Sequence, residues 1–252
     1  MSFRSNIRFT IVIPCYNEAK RFQSSYPRYV EFLNEHPDVG LCLVDDGSKD
    51  DTYQYIQQLA KEHPEQIDPV FLEKNGGKAE AVRAGMLHSS ANHTSHYIGF
   101  LDADLATPFD ECLRVEQIAR ERDAITFAFG SRILKVGSDI QRTKFRFLAG
   151  RFVATLISAM LRLKVYDTQC GCKIFKSELV PVLFEGPFIS KWLFDVELFF
   201  RMLKHYGRAE AKSKMVEVPL KRWEDMGDSK VGMGYFFKLW VDLYRIKRRY
   251  RR

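Results

Sequence analysis

Five short β-rich runs recur through the first half of the chain: FTIVIPCYN, VGLCLVDDGS, DPVFLEKN, HYIGFLDADL and AITFAFGSR. Amphipathic stretches such as DDTYQYIQQLAKEH and GKAEAVRAGMLHSS lie between them, with apolar residues at helical spacing. Parallel strands need a crossover to return to the same edge of a sheet, and a helix is the usual crossover. The alternation therefore predicts an α/β fold with a mostly parallel central sheet flanked by helices. Each run ends in polar or charged residues: Asn17 and Glu18, Asp45 and Asp46, Lys74 and Asn75, Asp102 and Asp104, Ser131 and Arg132. Ligands of open α/β sheets bind outside the carboxyl ends of the strands, so functional groups are expected among these residues.

Two of them stand out chemically. Asp102 and Asp104, one residue apart, follow the apolar run from Tyr97 to Leu101 and precede Pro108. Two carboxylates at a strand end suit a Mg2+ or Mn2+ ion, which takes one or two protein carboxylates and fills its other positions with water and substrate phosphate. A solvated turn or a helix cap would use the same residue types. The first strand turns through PCYNEAKRF without G-x-G-x-x-G, and Gly76-Gly77-Lys78 runs into alanine rather than the Ser or Thr of a P-loop. Dehydrogenase and ATPase chemistry lose their footing. What remains is an acidic edge that meets phosphates through a metal, with Lys78 or Arg132 as added counter-charge.

At 252 residues and 46% hydrophobic content the chain can bury a full core, and a single domain over 1–252 is expected. No stretch of about 18 apolar residues is present, which argues against a spanning helix. The polar start before FTIVIP gives no expectation of a secretory leader. The five cysteines, Cys15, Cys42, Cys112, Cys170 and Cys172, are odd in number and lack zinc-knuckle spacing, so reduced thiols in a cytoplasmic protein are expected.

PCYNEA at 14–19, VDDGSKDDT at 44–52, NGGKAEAVRAG at 75–85 and DADLATP at 102–108 resemble, in order and spacing, the nucleotide-sugar domain of inverting family 2 glycosyltransferases with the Rossmann-like GT-A fold. GSRIL, DTQCGCKIF, WLFDVELFFRM and VEVPLKRWEDMGDSKV look like the branch of dolichyl-phosphate glucose and mannose synthases and their polyprenyl-phosphate relatives. The resemblance implies a nucleotide-sugar-binding half over 1–135 and an acceptor-binding half over 136–252. Pro14, Tyr16 and Glu18 would line the nucleoside pocket, and Asp45 or Asp46 would accept from the base. Lys78 would lie near the base or diphosphate, and Asp102 near the ribose or metal. Asp104 would be the main metal ligand, with Ala103 a substrate contact between the two acids. From the residues alone, Asp45 and Asp46 could instead cap the helix starting near Asp50, and Tyr16 could simply pack.

In this branch the acceptor is a lipid monophosphate. With a second pKa of about 6 its oxygen is already anionic near neutral pH, so no strong base is needed. The cations implied for holding it are Arg132, Lys173, Arg222, and Lys230 beside Ser229. Asp167, which opens DTQCG, would act as base or positioning group. Asp195 and Glu197 fall on a predicted helix, where a base or a salt-bridged face are both open. The mannose synthases carry an arginine shortly before the S-K pair, whereas here the stretch reads Trp223-Glu224-Asp225-Met226, leaving that role to Arg222 or to no residue. W-x-F-D-V-E-L looks more like the glucosyl branch, which favours UDP-glucose over GDP-mannose as donor.

Membrane contact is expected on separate grounds. From Gln141 to Lys164 there are six basic residues (Arg142, Lys144, Arg146, Arg151, Arg162, Lys164) and no acid, with FVATLISAML between Arg151 and Arg162. That pattern suits a helix lying among lipid headgroups, or a buried helix with snorkelling ends. The tail GYFFKLWVDLYRIKRRYRR places six Lys or Arg in its last eight residues. An anionic membrane surface, at its cytoplasmic face, is the expected partner, alone or with a separate membrane protein, and no nucleic acid is expected. Two other readings keep their own signatures. A family 2 transferase with a saccharide hydroxyl acceptor would need Asp167 or Asp195 as a true base. A non-enzymatic basic membrane- or nucleic-acid-binding module would give Asp104 nothing to do.

Overall fold

The computed structural model describes residues 6–141, 144–224 and 234–250, with side chains outside 141–149 and 234–237. The chain divides into two compact units, Met1–Leu105 with Cys172–Pro187, and Ala106–Gly171 with Phe188–Arg252.

In the first unit the strands are β1 (Phe9–Cys15), β2 (Val39–Asp45), β3 (Ile67–Phe71), β4 (Tyr97–Phe100) and β7 (Lys173–Lys176), and the helices α1 (Ala19–Glu35), α2 (Thr52–Glu62), α3 (Lys78–Asn92) and α6 (Val180–Phe184). The strands lie in the order β3-β2-β1-β4-β7. The first four are parallel and β7 runs antiparallel to β4. All seven residues of β2 are buried, as expected of a parallel strand covered on both faces, which is why VGLCLVD reads as a continuous apolar run. Helix α1 buries Phe22, Tyr29, Phe32 and Leu33 on one face, and Phe22 stacks on Tyr55 of α2 at 5.9 Å. On α3, a Cβ at Gly85 would fall 2.5 Å from Val12 Cγ1 and 2.6 Å from Val44 Cγ2, so the helix approaches β1 and β2 as closely as it does only because the residue is glycine.

Register aligns the functional edge. Phe9 pairs with both Val39 and Tyr97, Cys15 pairs with Asp45, and Val12 pairs with Phe100. The polar residues after β1, β2 and β4 therefore emerge along one carboxyl edge.

The second unit contains β5 (Phe127–Ser131) parallel to β8 (Met215–Pro219), and β6 (Asp139–Gln141) parallel to β9 (Arg222–Glu224). Its helices are α4 (Phe109–Arg120), α5 (Lys144–Leu161), α7 (Phe194–Ser213) and α8 (Gly234–Arg249). Phe127 and Phe129 pack on Phe199 of α7, with ring centroids at 5.1 and 4.9 Å. Helix α7 kinks at Gly207, where φ is 73°. All five cysteines are buried and none forms a disulfide, and burial pushes the Cys42 thiol up to about 12, which makes it inert.

Candidate active site

Short polar side chains and backbone amides tie together the three loops that follow β1, β2 and β3. After β1 the chain turns through Asn17 at φ 53°. The Asn17 amide donates to Ser48 Oγ at 3.0 Å and its Oδ1 accepts from the Lys49 amide at 2.9 Å. The Glu18 amide donates to Thr52 Oγ1 at 2.8 Å, and the Ala19 amide to Asp50 Oδ2 at 3.1 Å. Asp50 Oδ1 also accepts from the Thr52 amide, so Asp50, and neither Asp45 nor Asp46, satisfies the start of α2.

The two neighbouring acids do different work. Asp46 Oδ1 accepts from the Gly76 amide at 2.7 Å, and Oδ2 accepts from the Gly77 amide at 2.8 Å and from Asn75 Nδ2 at 3.0 Å. It thereby fixes the loop that leads into Lys78. Gly47 makes this closeness possible: φ is +65°, and a Cβ there would lie 2.8 Å from the Asn75 nitrogen. Asp45 accepts only the Ser48 amide, at Oδ1, and its Oδ2 is uncommitted among the described residues.

Beyond β4, the Leu101 amide donates to the Val12 carbonyl at 2.9 Å, extending the pairing by one residue before the two acids. The Leu105 amide donates back to the Asp102 carbonyl at 3.1 Å, closing a tight turn with Leu105 at φ 51°. A leucine in the left-handed region is strained. Among the described residues three non-glycines have positive φ, and two of them, Asn17 and Leu105, sit at the ends of the adjacent strands β1 and β4. Lys78 Nζ lies 2.5 Å from Asp102 Oδ1. Ala103 and Asp104 are half-buried on the same turn, as are Pro14 and Tyr16 at the end of β1. Glu18 is buried and pairs with Arg21. Tyr29, which its sequence context does not single out, is 1% exposed. Its phenol is held well above the usual tyrosine range by burial first, then by the charges of Cys15, Glu18 and Asp104 against the opposing Arg28. The signal for it is a tyrosine on the buried face of α1.

Half-exposed carboxylates that already draw a lysine are the oxygen ligands a hard divalent ion prefers. Asp102 and Asp104 would hold it. No third carboxylate, imidazole or thiolate joins them in a ligand cluster among the described residues, which leaves further positions for water and phosphate oxygens.

In the second unit, Arg132 at the end of β5 and Asp167 form a closed pair. Arg132 Nε lies 2.6 Å from Asp167 Oδ2 and Nη2 lies 2.9 Å from Oδ1. The Arg132 amide also donates to Oδ2 and the Gln169 amide to Oδ1. A carboxylate with both oxygens engaged by a guanidinium and two amides is built to position its arginine, and of the two roles open to Asp167 the geometry favours that one over proton abstraction. Glu217 on β8 accepts from the amides of Tyr166 and Asp167, holding the segment that carries Asp167. It lies inside the VEVPLKRW motif, where its residue type alone points to no role. Burial pushes its carboxyl up, with the Asp167 charge adding to that, against the hydrogen bonds it accepts.

Arg222, on β9, is exposed and pairs with Asp110. Asp195 is buried in the first turn of α7. Glu197, in the same turn, accepts from the Ile189 amide, Arg201 and the Tyr250 hydroxyl, a buried network that includes the salt bridge expected of this face. Lys173, in the first unit, is fully buried with its ammonium 5.4 Å from the centre of the Phe100 ring. Ser229 and Lys230 lie outside the described residues.

Tied loops, an acidic turn and a lysine beside it thus meet at the carboxyl edge of a parallel sheet, the place where open α/β sheets bind ligands. The profile of the family described as Glycosyl transferase family 2 matches residues 10–184, and the chain belongs to that family and is a glycosyltransferase. It is 33% identical, over 96% of this chain and 71% of the relative, to a dolichyl-phosphate beta-glucosyltransferase of Trichomonas vaginalis. Among solved structures, the fold is similar to that of mannosyl-3-phosphoglycerate synthase from Rubrobacter xylanophilus, with a TM-score of 0.68 at 16% identity over 96% of this chain and 73% of that one. It is also similar to glucosyl-3-phosphoglycerate synthase from Mycobacterium tuberculosis crystallised with Mn2+, UDP-glucose and phosphoglyceric acid, with a TM-score of 0.61 at 16% identity over 95% and 79% of the two chains. The mostly parallel α/β fold expected from the strand rhythm, of the GT-A type that the resemblance implies, is the fold observed.

Proposed function

We propose that this glycosyltransferase moves glucose from UDP-glucose to a dolichyl-type polyprenyl phosphate, with inversion at the anomeric carbon. The observation that carries the reading is the carboxyl edge of the first unit, where the Lys78–Asp102 pair and Asp104 stand beside the tied loops after β1 and β2. The relative from Trichomonas vaginalis is named for dolichyl phosphate and glucose, and the mycobacterial fold neighbour was crystallised with UDP-glucose and Mn2+.

Asp45, with its open Oδ2, accepts from the base, while Pro14, Tyr16 and Glu18 line the nucleoside. Lys78 supplies positive charge near the diphosphate. Asp104, with Asp102, would hold a Mg2+ or Mn2+ ion, which would supply Lewis-acid stabilisation of the charge that develops on the departing diphosphate. The lipid phosphate oxygen forms its bond to C1 as the bond from C1 to the diphosphate breaks, and a nucleoside diphosphate leaves. No proton has to move, because the attacking oxygen is already anionic. That is consistent with an Asp167 given over to orienting Arg132. Arg132, Arg222, Ser229 and Lys230 are assigned to the acceptor phosphate; Lys173, expected among them from the resemblance, is fully buried against Phe100 and is not.

Two helices support action at a membrane surface. Phe152 and Leu156 on α5 and Trp240, Val241 and Tyr244 on α8 are exposed, and Phe152 meets Trp240 edge to face at 6.5 Å. Arg245, Lys247, Arg248 and Arg249 of α8 are exposed as well. Each basic residue near an anionic leaflet contributes roughly 1 kcal/mol, and aromatic side chains favour the interface. Not every basic residue of the α5 segment is available for this: Arg151 lies over the Tyr166 ring and donates to its carbonyl. No helix among the described residues is long and apolar enough to cross a membrane. Peripheral attachment at the cytoplasmic face follows from this reading.

The test is transfer of label from UDP-glucose, UDP-N-acetylglucosamine and GDP-mannose into butanol-extractable dolichyl phosphate, with Mn2+ or Mg2+. Label from UDP-glucose alone is the expected result. Label from GDP-mannose alone would replace the donor, and no lipid label from any donor with folded protein would end the lipid-phosphate assignment.

A further inference from the structure

The opposite, amino-terminal edge of the first unit's sheet carries ligand chemistry that sugar transfer does not use. Asp68 lies near the start of β3, paired in register with Cys42, while His88 sits in the last turns of α3 and His93 just beyond it. Thr10 near the start of β1 marks the same edge, and the six residues from there to Tyr16 span roughly 20 Å of strand, so the Asp102–Asp104 turn is remote.

The three side chains converge. His88 Nε2 lies 2.7 Å and His93 Nε2 2.8 Å from the same Asp68 oxygen, Oδ2. One ligand atom from each of the three lies within 4.8 Å of the others. Asp68 Oδ1 makes no hydrogen bond among the described residues. Burial pushes the Asp68 carboxyl up, but the hydrogen bonds from His93 and His88 outweigh it and hold the group below its ordinary value. The His93 side chain is 1% exposed, and its Nδ1 lies 3.5 Å from Thr10 Oγ1, which is itself 2.7 Å from Ser95 Oγ. That is an outer partner of the kind that orients a ligating imidazole. A cavity of about 610 Å³, walled also by Pro64 and Phe71, opens onto all three residues and has room for water.

We propose that Asp68, His88 and His93 bind a divalent transition metal of the Zn2+ class, at a site separate from the oxygen-ligand pair Asp102 and Asp104. Two imidazoles and one carboxylate favour Zn2+, Co2+ or Ni2+ over Mg2+. With Zn–N and Zn–O bonds of about 2.0–2.2 Å, tetrahedral ligand atoms stand roughly 3.3 Å apart, so the cluster opens by about half an ångström and a water fills the fourth position. Each ring then carries its proton on Nδ1, toward Thr10 Oγ1 at His93. At His88 the Asn92 amide, now 3.4 Å away through its nitrogen, turns its oxygen to accept. The metal would clamp the end of α3 to β3, and α3 begins at Lys78.

The experiment uses the whole chain, stripped with chelator and titrated with Co2+ in excess Mg2+, which occupies oxygen-only sites. Expected are one equivalent of bound Co2+ with visible d–d bands, bleached by Zn2+, in both wild type and Asp104→Asn. His88 is half-exposed, so His88→Ala should fold, and it should weaken Co2+ binding by at least about 100-fold, beyond the roughly 10–100-fold cost of losing an outer partner. Asp68→Asn serves as the second variant and should weaken binding in the same direction. Folded wild type without bands, or bands that persist in both His88→Ala and Asp68→Asn, or that vanish in Asp104→Asn, would overturn the assignment.

Discussion

The tied loops of the first unit and the buried ion pairs of the second hold their polar residues in different ways. In the tied loops of the first unit, apart from the Lys78–Asp102 and Arg21–Glu18 pairs, carboxylates and hydroxyls are met by backbone amides: Asp46 by Gly76 and Gly77, Asp50 by Ala19 and Thr52, Ser48 by Asn17. In the second unit charge meets charge, as Arg132 meets Asp167 and Arg201 meets Glu197. Amides are fixed by the backbone and stay in place when a side chain is changed. Ion pairs strand their partner when one member is lost. The first arrangement suits a rigid cradle for a nucleotide, and the second makes the unit's stability depend on the same residues proposed to meet the acceptor.

The sharpest way to break this contrast is Asp167→Ala. It leaves Arg132 largely buried without its carboxylate, and removing one member of a buried pair costs about 3–5 kcal/mol, measurable by urea unfolding. Unchanged stability with all transfer lost would make Asp167 a base and remove the contrast. Next is Asp46→Ala, which leaves the Gly76 and Gly77 amides unmet. A loss of about 2–3 kcal/mol is expected from charge-assisted hydrogen bonds of this kind, together with a raised donor KM. Asp45→Asn keeps the Ser48 contact and should raise donor KM with less than about 1 kcal/mol change in stability. Equal stability losses in the two variants would refute the division of labour between these neighbouring acids.

Glu217 gives a smaller, pH-dependent effect. Its carboxyl is raised in the folded state, so the folded protein keeps that proton to higher pH than the unfolded chain does. Stability therefore falls as pH rises from the ordinary glutamate value through the raised one, and the loss is complete above it. Glu217→Gln should remove that slope, so melting curves of variant and wild type should separate across this window in the variant's favour at the upper end. Parallel curves would mean that Glu217 is not raised. Last, Arg222→Ala should leave stability unchanged, since its pair with Asp110 is exposed. Lipid transfer should slow at unchanged donor KM; a changed donor KM would move Arg222 to the donor side.

Much of the first unit is legible in the sequence because its chemistry is local. A strand, a turn and a helix start occupy adjacent residues, so PCYNEA, VDDGS, NGGK and DADL each mark a position on the carboxyl edge by themselves. The difference between Asp45 and Asp46 is not legible, because it depends on Gly76 and Gly77, about thirty residues away. Tyr29 is hidden for a similar reason: its helix position predicts burial but not the nearby charges of Glu18 and Asp104. In the second unit Arg132 and Asp167 can be singled out separately from their motifs, and only the fold pairs them. The short β7 is unreadable as a strand because its four residues join β4 antiparallel from more than seventy positions later. The Asp68, His88 and His93 cluster carries no motif at all.

The most direct measurement is the rate of label transfer from UDP-glucose to dolichyl phosphate by wild type and by Asp104→Asn at saturating Mn2+. Loss of a group that stabilises leaving-group charge predicts a fall of at least about 100-fold, with Asp104→Asn as stable as wild type to urea. Transfer at the wild-type rate in that variant would contradict the placement of the chemistry at the carboxyl edge of the first unit.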